Sequence, residues 1–370
     1  MDQDRLLKQF CRLVSIDAPS LKERRMADYL KAELEELGFE VEEDGAGDAL
    51  GGDSGNLYAV LKGTKKSSPL LFSLHMDTVF PAEGKQAVIH EDGRITSNGD
   101  TVLGADDMAG MASVLEALRT IVEEGAEHRD VELLISVGEE LHLLGSGIFE
   151  FEKISAKESY TLDLSGQIGT AAWQAPSLAS FAAKISGRSA HAGFAPEKGI
   201  HAVAIAARAV NRIDIGRVSE AMTVNIGSIS GGTATNVIPD SCIVTGEVRG
   251  FSHEAVLGET ERIKEIFKEE AKAEGGSISF QYQMPLTAFE TPHGHPVVKR
   301  FRRACERLGI QPQMVRTFGG SDQNNLSCHG VTGLVLASAM HQVHSCQEFT
   351  EISEMLDVAR LVYEIILDEE

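Results

Sequence analysis

Long apolar runs, paired cysteines and basic residues are all scarce in this sequence, and each shortage removes a class of protein. No hydrophobic stretch approaches the ~20 residues that a membrane-crossing helix needs. The first residues, Met1-Asp2-Gln3-Asp4, are acidic and lack the basic-then-apolar pattern of a secretory signal, so a cytoplasmic location and no membrane partner are expected. The five cysteines, Cys11, Cys242, Cys305, Cys328 and Cys346, are scattered, odd in number and without a CxxC pair, which reads as reduced thiols and not a disulfide framework. Lysine and arginine number 34 against 56 aspartates and glutamates, a net charge of -22. That balance argues against nucleic acid or anionic lipid as a partner. There is no internal repeat and no low-complexity tail.

What is present reads as a globular chain of two domains, because 370 residues exceed one ordinary domain of ~100–200. Leu6, Phe10, Leu13 and Val14 recur at helical spacing, as do Met26, Leu30, Leu34 and Leu37. A Gly-rich loop is expected over 45–55. Apolar runs at Leu57–Leu61, Leu70–Leu74, Val131–Val137 and Ser159–Leu164 alternate with expected helices at Asp107–Val122 and Leu143–Glu152. Strands alternating with helices imply a mostly parallel α/β sheet with helices on both faces. After Pro176 the pattern changes. Strands at Phe181–Ser186, Thr223–Ser230, Cys242–Arg249 and Ser277–Gln283, with helices at Ile200–Ile213 and Glu254–Ala273, fit a small α+β unit. Val297–Leu308, Gly333–Ala337 and Ile352–Leu367 then resume the first pattern. The reading is an inserted domain at 176–287 within a larger domain made of 1–175 and 288–370.

Acidic and imidazole residues follow the successive strands. His75-Met76-Asp77 comes directly after Leu70–Leu74, and residues two apart in extended chain point the same way. Asp106-Asp107 stands where a loop enters a helix, and N-capping accounts for one of the two. Glu139-Glu140 follows Val131–Val137; of two adjacent acids on a turn, one can bind metal while the other stays free as a base. Asp163 ends the next strand, and His344 lies near the C-terminus. Ligands gather at the carboxyl ends of parallel strands. A mixed nitrogen and oxygen donor set suits Zn, Co or Mn better than Ca or Mg. Two ions ~3.5–4 Å apart need a bridging oxygen ligand.

These motifs, together with Gly104-Ala105, Ser189-Ala190-His191-Ala192-Gly193 and Ser345, resemble those of the M20 family of metallopeptidases, especially its peptidase T-like branch, over nearly the whole chain. The resemblance implies a di-zinc exopeptidase-like catalytic domain with an inserted α+β (ferredoxin-like) lid and dimerisation domain. It implies two divalent ions per chain, Zn with Co or Mn as alternatives. Asp106 would bridge them, His75 and Asp163 would complete one site, and Glu140 and His344 the other. Asp77 would orient His75, and Glu139 would be the general base toward a metal-bridging water. His191 would reach the active site of a partner subunit in a homodimer and stabilise the oxyanion. Asn236 and Arg249 match positions that contact substrate, Arg249 by suiting a carboxylate. The expected activity is cleavage of short peptides, as in a tripeptide aminopeptidase. Ala192 to Gly199 departs from the pattern of true peptidase T, which bears on tripeptide selectivity and leaves the metal positions intact. The alternatives are an amidohydrolase of the same family acting on N-acyl amino acids, since sequence does not settle what binds the substrate ends, and a non-catalytic peptide-binding relative, which should have lost a ligand or the base.

Overall fold

The computed structural model describes residues 1–369. The chain forms two compact units, Met1–Gln174 with Glu290–Glu370, and Ala175–Phe289. It passes between them at Gln174–Ala175 and Phe289–Glu290, against the crossings at 175–176 and 287–288 read from sequence. Among the described residues no helix is long and apolar enough to cross a membrane.

The first unit is built on a nine-stranded sheet. Leu70–His75 and Val131–Ser136 are buried along their whole length, which is why they read as near-continuous apolar runs. They pair in parallel, with Leu70 opposite Val131 and His75 opposite Ser136. Glu158–Leu164 lies on the other side of Leu70–His75, Phe72 opposite Tyr160, and Thr332–Ala337 extends the parallel set. Toward one edge, Leu57–Leu61 and Glu40–Glu43 are antiparallel. Toward the other, Thr170–Ala175 is antiparallel to Thr332–Ala337 and carries Gln313–Arg316 in parallel beside it. The sheet is therefore parallel at its centre and antiparallel at its flanks, and the carboxyl ends of the four central strands open along one side.

The two faces of this sheet are covered unequally. Leu70, Phe72, Leu133, Ile135 and Tyr160 share a core with the helices Gln3–Val14, Ala105–Glu124, Pro296–Arg307 and Ile352–Leu367. On the opposite face Tyr58, Leu71 and Leu134 meet Phe149, Ile154 and Leu326. That thinner side holds the departures from the sequence reading. The expected helix over Leu143–Glu152 shrinks to Leu144–Gly147 and a 3-10 turn at Phe151–Lys153: Leu143 takes a positive φ of 60°, which a right-handed helix does not admit, and Glu150, at ψ 84°, leaves the helical region between the two pieces. The expected Gly-rich loop contains a short helix, Ala46–Leu50.

Ile352–Leu367 packs against Ala105–Glu124, where Ser113 Oγ donates to Met355 O at 3.0 Å. Its far end is anchored by Asp368, whose buried carboxylate accepts from Arg303 Nη2 at 2.5 Å and Arg307 Nη2 at 2.8 Å. Asp368→Ala is expected to lower unfolding stability by about 1.5–3 kcal/mol, the range for a hydrogen bond to a charged group, because Arg303 and Arg307 are partly solvated and recover water, while the buried Arg300, 3.8 Å from the same carboxylate, keeps its pairing with Glu158. Urea unfolding measures this; a change below ~0.5 kcal/mol would show that the anchor is redundant.

The second unit has a five-stranded antiparallel sheet in the order Gly216–Ser219, Met222–Gly231, Ser241–Gly250, Ser177–Ser186, Ser277–Leu286. The helices Ala202–Asn211 and His253–Ala273 join Phe181, Ile185, Val244 and Val248 in one core, through Ile205, Ile263 and Phe267. Without the extra edge strand Gly216–Ser219, the β-α-β-β-α-β order along the chain is ferredoxin-like.

Candidate metal centre

His75 is the last residue of its strand and is buried. Its Nδ1 lies 3.0 Å from the backbone carbonyl of Asp77, and its Nε2 lies 3.0 Å from Asp106 Oδ1. Asp77 therefore steadies the ring mainly through its backbone; its carboxylate, 3.5 Å from Nδ1, also holds the chain beyond the next strand. Asp77 Oδ1 accepts the Glu139 N–H at 3.0 Å, and Oδ2 accepts the Glu140 N–H at 3.2 Å and the Ser20 hydroxyl at 2.7 Å. The preceding Gly138 turns the chain with φ 56°, a conformation that glycine adopts freely, and its N–H is accepted by Glu23 Oε1 at 2.9 Å. Two buried acids thus set the backbone that carries Glu139 and Glu140.

Asp106 and Asp107 open the Ala105–Glu124 helix with non-helical backbone angles. Neither makes a capping hydrogen bond; the cap position is Gly104, at φ 80°. The capping role expected of one aspartate fails for that reason. Asp107 Oδ2 instead accepts the His75 backbone N–H at 3.3 Å, while its Oδ1 is buried without a partner, and burial pushes this carboxyl well above the usual range.

Two groups of potential ligand atoms converge, each within 4.8 Å: His75, Asp106 and Asp163, and Asp106, Glu140 and His344. Asp106 belongs to both. Its Oδ1 faces His75, and its Oδ2 lies 3.4 Å from His344 Nε2, which is also 3.0 Å from Glu140 Oε2. Burial opposes charge on His75, yet hydrogen bonds to Asp106 and Asp77 and nearby carboxylates outweigh it and hold its pKa well above the ordinary value. Asp106 and Glu140 push His344 up to about 10. Asp106 is held low because hydrogen bonds from His344 and His75 overcome the opposing effect of burial. Burial first, then neighbouring carboxylates, push Asp163 and Glu139 well above the carboxylate range. The carboxylates of Asp106, Glu139, Glu140 and Asp163 thus share two imidazoles as their partners, and the site draws in positive charge. A nitrogen and oxygen donor set with a shared carboxylate fits two divalent cations.

In the second unit, His191 is exposed and its Nδ1 accepts the backbone N–H groups of Gly193 and Phe194 at 3.1 and 3.2 Å. Asn236 lies beside it: the Ala192 N–H donates to Asn236 O at 3.0 Å, and His191 bridges Val237. Arg249 lies elsewhere. It stands opposite Leu178 and Thr223, roughly 25 Å along the strand from Ser241 at the strand rise per residue. Its guanidinium grips Glu247 at 2.9 and 3.2 Å. Asn236 and Arg249 are therefore not brought together within the unit.

Sequence reasoning missed Glu23 and Glu348, both buried acids that hold backbone N–H groups beside the site. Asp322 is buried too, its carboxylate accepting from the hydroxyls of Ser136 and Ser146, each at 2.5 Å. His341 pairs with Glu354 and stacks on Phe349.

A parallel-centred α/β sheet with carboxylate and imidazole clusters beside its strand ends, interrupted by a ferredoxin-like unit, fits a class of two-domain α/β metal-binding proteins. Known proteins narrow the class. Residues 175–275 match the M20 peptidase dimerisation domain, and residues 56–166 match peptidase family M28. An uncharacterized protein of Bacillus subtilis, YqjE, is 36% identical over 366 residues, 99% of this chain and 98% of its own. The structure of aminopeptidase PepT from Bacillus cereus is 37% identical with a TM-score of 0.94, over 99% of this chain and 98% of that one. A tripeptidase from Staphylococcus aureus is 33% identical with a TM-score of 0.97 over the same shares. The chain belongs to the M20 family of metallopeptidases, in its peptidase T-like branch, and is a peptidase.

Proposed function

We propose that this peptidase removes the N-terminal residue of tripeptides and similarly short peptides, using two divalent ions, Zn or else Co or Mn. The observation that carries the two-ion reading is the sharing of Asp106 between two ligand groups. His75 and Asp163 would hold one ion with Asp106, and Glu140 and His344 the other. When bound, the ions would lower the pKa of a water molecule and polarise the scissile carbonyl. Glu139, which belongs to neither group, takes a proton from the attacking water and returns it to the leaving amine. The likeness to an aminopeptidase and a tripeptidase supports the substrate class.

His191 supports the same reading from its hydrogen bonds. Two backbone N–H groups point at Nδ1, so the neutral ring carries its proton on Nε2 and presents it outward as a donor. Such a donor suits an oxyanion. The match to a dimerisation domain supports a homodimer in which this ring serves the partner's site. Asn236, adjoining His191, and Arg249 are proposed substrate contacts; Arg249 would release Glu247 to take a carboxylate.

Purified protein is expected to carry two ions per chain and to cut a free tripeptide, with activity falling to background under a chelator and returning with Zn, Co or Mn. The N-acetylated tripeptide should stay intact, since an aminopeptidase needs the free amine. Cleavage of an N-acetyl amino acid but not of the tripeptide would move the assignment to the amidohydrolase reading. Failure of the reconstituted protein to bind any ion would remove the metallopeptidase mechanism altogether.

A further inference from the structure

Glu348 is almost wholly buried, at 1% exposure, and both its oxygens are used on backbone. Oε2 accepts the Gly104 N–H at 2.6 Å and Oε1 accepts the Asp106 N–H at 3.0 Å. The carboxylate thus spans the turn by which the chain enters the Ala105–Glu124 helix. The other side of that turn is closed as well. Lys85, also buried, donates from Nζ to Thr78 Oγ1 at 3.0 Å, and a Cβ placed on Gly104 would stand 3.2 Å from Lys85 Nζ and 3.4 Å from Thr78 Cγ2. The Asp106 peptide has little room to turn.

The segment that brings Glu348 is itself fixed. His341 and Phe349 exchange two backbone hydrogen bonds, at 3.0 and 3.1 Å. Phe349 pairs with Thr96 in a small three-stranded sheet, and the Arg94 guanidinium lies 3.8 Å over its ring. The loop closed in this way carries both His344 and Glu348. One loop therefore offers a ligand of its own and secures the backbone of another.

We infer that Glu348 is a positioning residue that sets the affinity for both ions by clamping the peptide of Asp106, the ligand the two groups share. The inference rests on the two-ion reading. The oxygens of Asp106 are divided between His75 and His344, so a rotation of its backbone displaces both at once. A residue that served only to cap the helix would affect stability alone, since a lost cap weakens folding and leaves the folded site unchanged. The clamp predicts a change in ion binding by protein that is already folded.

The test compares wild type with E348Q, which keeps the shape but replaces one acceptor by an amide that opposes a backbone N–H. Co²⁺ binding is followed by calorimetry and by the visible spectrum of the bound ion, and the melting of each metal-free protein is recorded alongside. The expected result is a metal-free E348Q that is folded at the assay temperature, with both Co²⁺ dissociation constants raised about 10–100-fold and an altered spectrum. Dissociation constants within about threefold of wild type, in folded protein, would overturn the inference and leave the two-ion reading standing. A wild type that binds no Co²⁺ overturns both. If E348Q does not fold, E348D keeps the charge on a shorter arm: folding with both ions weakened supports the clamp, folding with wild-type affinity overturns it, and failure of both variants to fold assigns Glu348 a purely structural role.

Discussion

Glu139→Gln is expected to lower kcat by about 10²–10⁴-fold, the range for general acid–base catalysis, while two ions remain bound and KM changes little. The amide fills the same volume and leaves the backbone contacts of this position in place, since the Glu139 N–H is held by Asp77 and the Gly138 N–H by Glu23. Glu139 is in neither ligand group, so its exchange spares the donor set. What changes is the capacity to accept and return a proton. In the metal-free protein burial, then the Asp163 carboxylate, pushes Glu139 well above the usual carboxylate range. Steady-state kinetics paired with metal analysis on the same preparation decides the matter. A rate within about threefold of wild type would move the base elsewhere, and loss of an ion would make Glu139 a ligand.

Two ligand candidates, His75 and Asp163, were legible in the sequence because they stand at the ends of strands that are themselves easy to read, and Glu140 because it follows such a strand within a turn. Leu70–His75 and Val131–Ser136 are buried on both faces, so each appears as an apolar run closed by a residue that does not belong in a core. The parallel pairing then aligns those ends, as His75 opposite Ser136 shows. What stayed hidden is of two kinds. Strands of two to four residues, such as Val88–Ile89, Arg94–Thr96 and Gln313–Arg316, are too short to show a period. Acids that hold backbone leave no partner motif either: Glu23 and Glu348 accept from N–H groups of Gly138, Gly104 and Asp106, donors that every residue but proline offers. Asp106-Asp107 misled because a pair of aspartates before an apolar helix has the sequence of a cap, whereas Gly104 turns the chain and frees both side chains for other uses. Arg249 had a signal that went unused. Glu247 stands two residues earlier on the same strand face, the spacing that lets the two side chains meet.

Asp106→Ala is expected to lose both ions and, with them, all activity above background. The argument is one of shared parts. Asp163 occurs in one ligand group and Glu140 in the other, whereas Asp106 occurs in both. Removing it leaves His75 with Asp163, and His344 with Glu140, two donors apiece where a zinc site takes three protein ligands or more. Asp163→Asn should behave differently. It spares the group of Asp106, Glu140 and His344, so one ion should persist while the other is lost. The two variants measured side by side by metal analysis, with folding checked by circular dichroism, separate a shared ligand from a general loss of negative charge, because each removes one carboxylate from the cluster. Two ions retained by Asp106→Ala would refute the shared role. Equal loss from both variants would mean that the ions bind as an inseparable pair, with Asp163 as necessary to the second ion as Asp106 is.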